Sequence, residues 1–249
     1  VETTHPPYAA RERPATRFLR LEPGAGIGQE AAMAPSLVPQ SDYATIGAIF
    51  ARFAAAEPHP RGELDHLNAF TLLVAVALSA QATDKSVNAA TGPLFAVADT
   101  PERMLALGED GLAPFIRTIG LYRTKARNVI ALSRRLIEVF GGEVPSSRAA
   151  LMSLPGVGRK TANVVLQMWF GLPAQAVDTH VFRVANRTGI APGRDEAAVE
   201  RAIEDHVPAG YLAHSHHWLI LHGRYICQAR KPRCADCLIH DLCAYPEKS

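Results

Sequence analysis

The segment from Leu151 to Asp178 leaves this chain the least freedom. Leu151 and Leu154 close one apolar-periodic segment, and Pro155 stops it. Gly156 and Gly158 then permit a tight reversal before a second helix expected from about Arg159 to Phe170. Glycines at a reversal of this kind let an anionic oxygen approach the main-chain N–H groups that open the next helix, an arrangement suited to phosphate. Lys160 falls in the first turn of that helix. There the positive end of the macrodipole disfavours a further cation and is expected to push the amine toward its neutral form.

Two roles are open to Lys160. It can be a phosphate contact or solvated surface charge, or it can be a nucleophile, since only a neutral amine attacks carbon. Asp178 bears on the choice, because it stands beyond the second helix and directly before a helical Thr-His-Val-Phe-Arg segment. Its ordinary role is an N-cap, yet an N-cap carboxylate can also face a cleft. A lysine and a carboxylate converging beside a phosphate-binding turn make a site for attack on a sugar carbon.

The rest of the chain also reads as helical. Ser41 or Asp42 can cap a helix through Phe53, ended by Pro58 and Pro60. Asn68 opens a core helix to about Ser79, and Asp84 can cap another through Thr91. Thr100 and then Asp110 or Gly111 start further helices, followed by one from Arg123 to Phe140 that stops at Gly141-Gly142, and one resuming at Ser146. Beyond Asp178 come helices to about Arg187, from Asp195 to His206, and from Leu212 to about Tyr225. No stretch alternates strongly enough to demand strands, so the class is all-α. Residues 1–40, rich in proline and glycine with no apolar period, read as a disordered tail; its four arginines are matched by four glutamates, which gives no support to a targeting segment.

Gln81 sits at a junction between two helices, where an amide is either an ordinary loop residue or a group projected from a rigid scaffold. Leu121 follows Gly120 directly, with Arg123, Lys125 and Arg127 adding positive charge nearby. A leucine there is either core or a wedge able to enter a duplex.

Composition bounds these possibilities loosely. A chain of 249 residues that is 48% hydrophobic can bury a substantial core, while a net charge of +2 neither requires nor forbids nucleic acid. The longest apolar run, Ala69 to Leu78, is too short to span a bilayer. All four cysteines, Cys227, Cys234, Cys237 and Cys243, fall within seventeen residues in a C-x6-C-x2-C-x5-C pattern. Such clustering argues for one metal centre in a reducing compartment rather than scattered disulfides, and four thiolates suit either a tetrahedral zinc or a [4Fe–4S] cluster. Arg230, Lys231 and Arg233 lie between the first two, on a short loop that can offer cations to phosphates.

Five separated motifs together resemble the endonuclease III family of helix-hairpin-helix base-excision glycosylases. They are Leu78-Ser79-Ala80-Gln81-Ala82-Thr83-Asp84, Ile119-Gly120-Leu121-Tyr122, Leu154 to Asn163, Val177-Asp178-Thr179-His180, and the cysteine spacing, all in the family's order. The likeness covers about residues 41 to 245. It implies a bifunctional DNA glycosylase and AP lyase that acts on double-stranded DNA carrying oxidised pyrimidines or abasic sites, works as a monomer and holds a [4Fe–4S] cluster. It implies a two-lobed fold, with a six-helix domain near residues 62–172 and a cluster domain from residues 41–61 and 173–249. By the same match Lys160 is the nucleophile and Asp178 the catalytic aspartate. Gln81 fills the gap left by a flipped base, and Leu121 wedges the opposite strand. The family's adenine-mismatch branch lacks the lysine, which Lys160 argues against. Arg123 and Thr124 occupy a loop that varies within the family near the wedge. The family implies a cytoplasmic, nucleoid-associated location of bacterial type, or an organellar or nuclear one in a eukaryote.

Overall fold

The computed structural model describes residues 38–60 and 62–248, so the tail expected over residues 1–40 lies outside it except for its last three positions. Among the described residues all regular structure is helical: α1 (Tyr43–Ala56), α2 (Ala69–Leu78), α3 (Asp84–Phe95), α4 (Pro101–Ile116), α5 (Tyr122–Phe140), α6 (Arg148–Met152), α7 (Arg159–Met168), α8 (Thr179–Thr188), α9 (Glu196–His206), α10 (Ala209–Tyr225) and a 3₁₀ turn (Cys234–Asp236). Among the described residues no helix is long and apolar enough to cross a membrane.

Side-chain caps set most of the starts. Asp42, Asn68, Thr83, Thr100, Ser147, Asp178 and Asp195 each accept a backbone N–H from the first turn that follows. Among the described α-helices, α5, α7 and α10 begin without such a cap. Several boundaries differ from those expected. Thr83, not Asp84, caps α3, and that helix runs through Pro93 to Phe95 instead of stopping at Thr91, because Leu94 and Phe95 are buried and their packing outweighs the lost backbone bond. The two helices expected after Thr100 meet at Gly108, whose φ of 69° and ψ of 175° break α4 in the middle. Ser147 caps α6 where Ser146 was expected, and α7 ends at Met168, short of Phe170, where Gly171 turns the chain at φ 64°.

Two apolar cores result. The first draws on Phe70 through Ala176, with α2 buried along almost its whole length against α3, α5 and α7. The second gathers Ile46, Ile49, Phe50 and Phe53 of α1 with residues from Val177 onward, chiefly on α8, α9 and α10.

A buried polar seam joins them. Gln167 on α7 donates through Nε2 to Leu212 O (3.2 Å) and Ala213 O (3.0 Å). In the α7–α8 connection Gln175 donates to Leu212 O (3.0 Å), and its Oε1 accepts from Ser215 Oγ at 2.7 Å. Asn163 Nδ2 donates to Gln175 O at 2.7 Å, while its Oδ1 accepts from Arg148 Nε at 2.7 Å. Glu200 of α9, only 3% exposed, takes both Arg159 (2.7 and 3.0 Å) and Arg148 (3.0 Å). Bonds of this kind are directional, so they fix the angle between the cores as apolar contact alone would not.

On α10, His216 and His217 stand beside this seam. Burial, with its neighbour His217 adding to the effect, holds His216 well below the usual imidazole range; its Nδ1 lies 2.6 Å from Ala176 O and is therefore the protonated nitrogen. Burial likewise pushes His217 down to about 4, and among the described residues neither of its ring nitrogens has a hydrogen-bond partner. An imidazole whose folded pKa lies below its unfolded one contributes nothing destabilising above pH 6.5, but erodes stability as pH falls toward 4, because only the unfolded chain takes up the proton. The His217 contribution amounts to about 2 kcal/mol at pH 5. Urea midpoints should show the wild type losing about that much more stability than His217→Gln between pH 7.5 and 5. Equal losses would contradict the assignment of His217 as buried and neutral.

Candidate active site and nucleic-acid interface

The hairpin places Lys160 as the sequence suggests. Leu154 O accepts from Val157 N at 3.1 Å to close the turn, and Gly156 adopts a φ of 76° with Asn128 so close that a Cβ would stand 2.9 Å from it. A side chain is excluded there on both counts. Gly158 is the α7 N-cap in extended conformation, with open space where its Cβ would lie. The first-turn amides of α7 therefore face outward with no side-chain cap, leaving donors available to an anion.

Lys160, half-exposed, projects from this turn into a cleft of about 570 Å³, part of it open to solvent, that lies between the two cores. Its Nζ is 3.9 Å from Asp178 Oδ2. Asp178 fills both roles considered for it. Oδ1 caps α8 by accepting from His180 N and Val181 N, each at 2.8 Å, while Oδ2 faces the lysine.

Sequence reasoning missed the opposite wall of the cleft. Arg224 of α10 pairs with Asp84 Oδ2 at 2.7 Å and also with Glu63, whose Oε1 accepts from Tyr225 Oη at 2.7 Å. The signal was available. His217, Ile220, Leu221 and Arg224 recur at i, i+3, i+4 and i+7 on one face of α10 and all line the cleft. Asp84, considered only as a cap, is a cleft carboxylate.

Gln81 and Leu121 lie outside this cleft, on the α2–α3 and α4–α5 connections, and both are exposed. Their backbones share an unusual feature. Among the described residues only Gln81 (φ 56°), Leu121 (φ 59°) and Lys231 (φ 52°) adopt positive φ without being glycine. Left-handed backbone at such residues is costly, and it concentrates where the surroundings hold a side chain in place for use. Lys125 corrects an expectation. It does not add surface charge beside Leu121 but is buried, donating from Nζ to Leu78 O (3.0 Å) and Ala80 O (2.6 Å).

The four cysteines are free, half-buried thiols lining a single cavity with His222, Pro232 and Tyr245. Burial pushes the Cys237 and Cys243 thiols up, so thiolates there call for a bound cationic centre. Among the described residues no three His, Cys, Asp or Glu side chains close on one metal position. Four thiols lining one cavity are a donor set that suits a thiolate-bound metal centre. Arg187 of α8 fastens the loop by donating to Gln228 O (2.7 Å) and Ala229 O (3.0 Å). Arg230 and Lys231 are exposed, while Arg233 is tied to Asp236 at 2.8 Å.

The family model for HhH-GPD superfamily base excision DNA repair proteins matches residues 74–209. Endonuclease III of Treponema pallidum (strain Nichols) is 59% identical over 202 residues, covering 81% of this chain and 96% of that protein. Endonuclease III of Escherichia coli (strain K12) is 58% identical over 200 residues, covering 80% and 95%. Among solved structures, a trapped endonuclease III–DNA covalent intermediate in an estranged-adenine complex superposes with a TM-score of 0.76 at 44% identity, covering 82% of this chain and 96% of that one. On these grounds the chain belongs to the endonuclease III family of base excision DNA repair proteins.

Proposed function

We propose that the protein is a bifunctional DNA glycosylase and AP lyase that removes oxidised pyrimidines from duplex DNA, with Lys160 as nucleophile and Asp178 as its partner. The observation that carries this reading is the 3.9 Å approach of Lys160 Nζ to Asp178 Oδ2 inside a cleft that opens beside an uncapped helix start.

The chemistry follows from that geometry. Phosphate of the damaged strand sits on the α7 amides and the hairpin glycines Gly156 and Gly158, which sets the sugar over Lys160. Gln81 occupies the space vacated by the extruded base and Leu121 separates the opposite strand, offsetting an unstacking cost of a few kcal/mol. The extruded ring meets Arg224 as donor and Glu63 or Asp84 as acceptor, matching a pyrimidine edge that carries both carbonyl oxygens and an N–H.

Asp178 Oδ2 accepts a proton from the amine. The freed nitrogen pair then attacks C1′, and the glycosidic C1′–N bond breaks with its electrons going to the departing base, which is protonated as it leaves. Opening of the sugar yields a protonated Schiff base stabilised by Asp178. Loss of a C2′ proton expels the 3′ phosphate by β-elimination, and water then hydrolyses the imine to free the lysine. The solved covalent intermediate in a relative supports a route through a protein–DNA bond.

Cys227, Cys234, Cys237 and Cys243 would hold a [4Fe–4S] cluster that fastens the loop of Arg230, Lys231 and Arg233 at both ends. Arg230 and Lys231 meet the DNA backbone directly, whereas Arg233 must first leave Asp236. The lobes are a six-helix domain over residues 62–172 and a cluster domain from residues 41–61 and 173–249, and the change of core at Ala176–Val177 supports that division. The protein works as a monomer in a thiol-reducing compartment that contains DNA.

Two outcomes are expected. Lys160→Gln should lower base release and strand cleavage by at least about 10³-fold while duplex binding changes only a few-fold. Asp178→Asn should keep the α8 cap, since asparagine caps as well as aspartate, yet lose about 10²- to 10⁴-fold in rate. Full strand cleavage by Lys160→Gln would leave a non-enzymatic DNA-binding module as the better reading. The purified protein should absorb broadly in the visible and lose that absorption in Cys237→Ser; a colourless protein with one equivalent of zinc would overturn the cluster assignment.

A further inference from the structure

We infer that Lys125 is a positioning residue that joins the two duplex-probing side chains, Gln81 and Leu121, into one rigid unit. The inference rests on the reading of Gln81 and Leu121 as probes given above. One residue bonds to both connections. The main-chain N of Lys125 donates to Leu121 O at 3.0 Å, and its Nζ donates to Ala80 O at 2.6 Å and Leu78 O at 3.0 Å.

The surroundings show why an ammonium is kept here. Lys125 is 8% exposed, and burial lowers its pKa, yet among the described residues it has no carboxylate partner. A buried cation without a counter-charge is costly, and the usual solution is an apolar side chain. What compensates is the negative end of α2, whose last carbonyl, Leu78 O, accepts from the amine. Simple helix capping accounts for the bond to Leu78 O. It does not account for the shorter bond to Ala80 O, which lies beyond the helix and directly precedes Gln81. With Ala82 N donating to Ser79 O at 3.0 Å, all three carbonyls from Leu78 to Ala80 are taken, and the left-handed backbone of Gln81 is held from its N-terminal side.

Leu121 O accepts the first main-chain bond of α5 from Lys125 N, so the residue whose side chain holds the Gln81 connection sits one helical turn beyond Leu121. Leu121 has the same left-handed backbone and starts α5 with no side-chain cap. The probes lie forty positions apart in sequence and on different connections, and Lys125 is the residue that bonds at both. Loss of the clasp should let Gln81 relax to ordinary φ, so that the probes no longer enter the duplex together.

The test compares Lys125→Met, Gln81→Ala and the double variant on two substrates. One is a duplex with a single thymine glycol, read as single-turnover base release. The other is a single strand with a preformed abasic site, read as strand cleavage, which needs neither extrusion nor a wedge. Lys125→Met should slow the duplex reaction at least ten-fold more than the single-strand reaction. The double variant should react within about two-fold of the slower single variant, since Lys125 acts through Gln81. Equal losses on both substrates, or losses that multiply in the double variant, would overturn the proposal and leave Lys125 a cap for α2. If thermal melts show that Lys125→Met does not fold, Lys125→Arg serves instead. Its planar head retains the charge but is larger than the ammonium and reaches further, so in a buried site fitted to one nitrogen it displaces the Ala80 connection, and the same pattern is expected. If Gln81→Ala alone leaves duplex base release unchanged, the failure belongs to the assignment of Gln81 as a probe.

Discussion

The structure depends on the buried polar seam between its two cores. Lys160 belongs to α7 of the first core and Asp178 to the start of α8 in the second, so their 3.9 Å separation is only as well defined as the angle between those cores. Gln167, Gln175, Asn163, Ser215 and Glu200 set that angle through directional bonds in a low-dielectric setting, where leaving any partner unsatisfied costs about 1–3 kcal/mol. An apolar joint of equal area would tolerate sliding. His216 extends the seam to the site itself, because its bond to Ala176 O anchors the chain two residues before Asp178.

Helix starts divide between structure and function along a similar line. Seven carry a capping side chain, and the caps spend donors that an anion would otherwise find. Of the three uncapped starts, α5 follows Leu121 and α7 the hairpin, two of the connections read as meeting the duplex, and α10 follows Pro208; the connection bearing Gln81 leads instead into α3, which Thr83 caps. Asp178 reconciles the two demands on a single carboxylate, with one oxygen capping and the other facing the lysine.

Much of this was legible in the sequence. The hairpin, its glycines and Lys160 were readable because Pro-Gly-x-Gly punctuation acts locally, and Asp178 because N-caps have a fixed place ahead of a helical period. The course of α3 past Pro93 was not, since burial of Leu94 and Phe95 is a tertiary fact that overrides a local penalty. The inward turn of Lys125 was hidden for the same reason. Its partners lie forty-five and forty-seven residues upstream, and nothing nearby distinguishes it from the surface cations Arg123 and Arg127. The cleft wall of Glu63, Asp84 and Arg224 joins three separate segments, and only its α10 periodicity left a trace in the sequence.

The central claim is that one amine, held beside one carboxylate, bonds to the sugar. Borohydride reduction during turnover on a lesion-bearing duplex, followed by proteolysis and mass spectrometry, tests it most directly. The sugar remnant should be found on the peptide containing Lys160, at that nitrogen. A remnant on any other lysine or on the chain's N-terminal amine, or no adduct at all while strands are still cut, would contradict it.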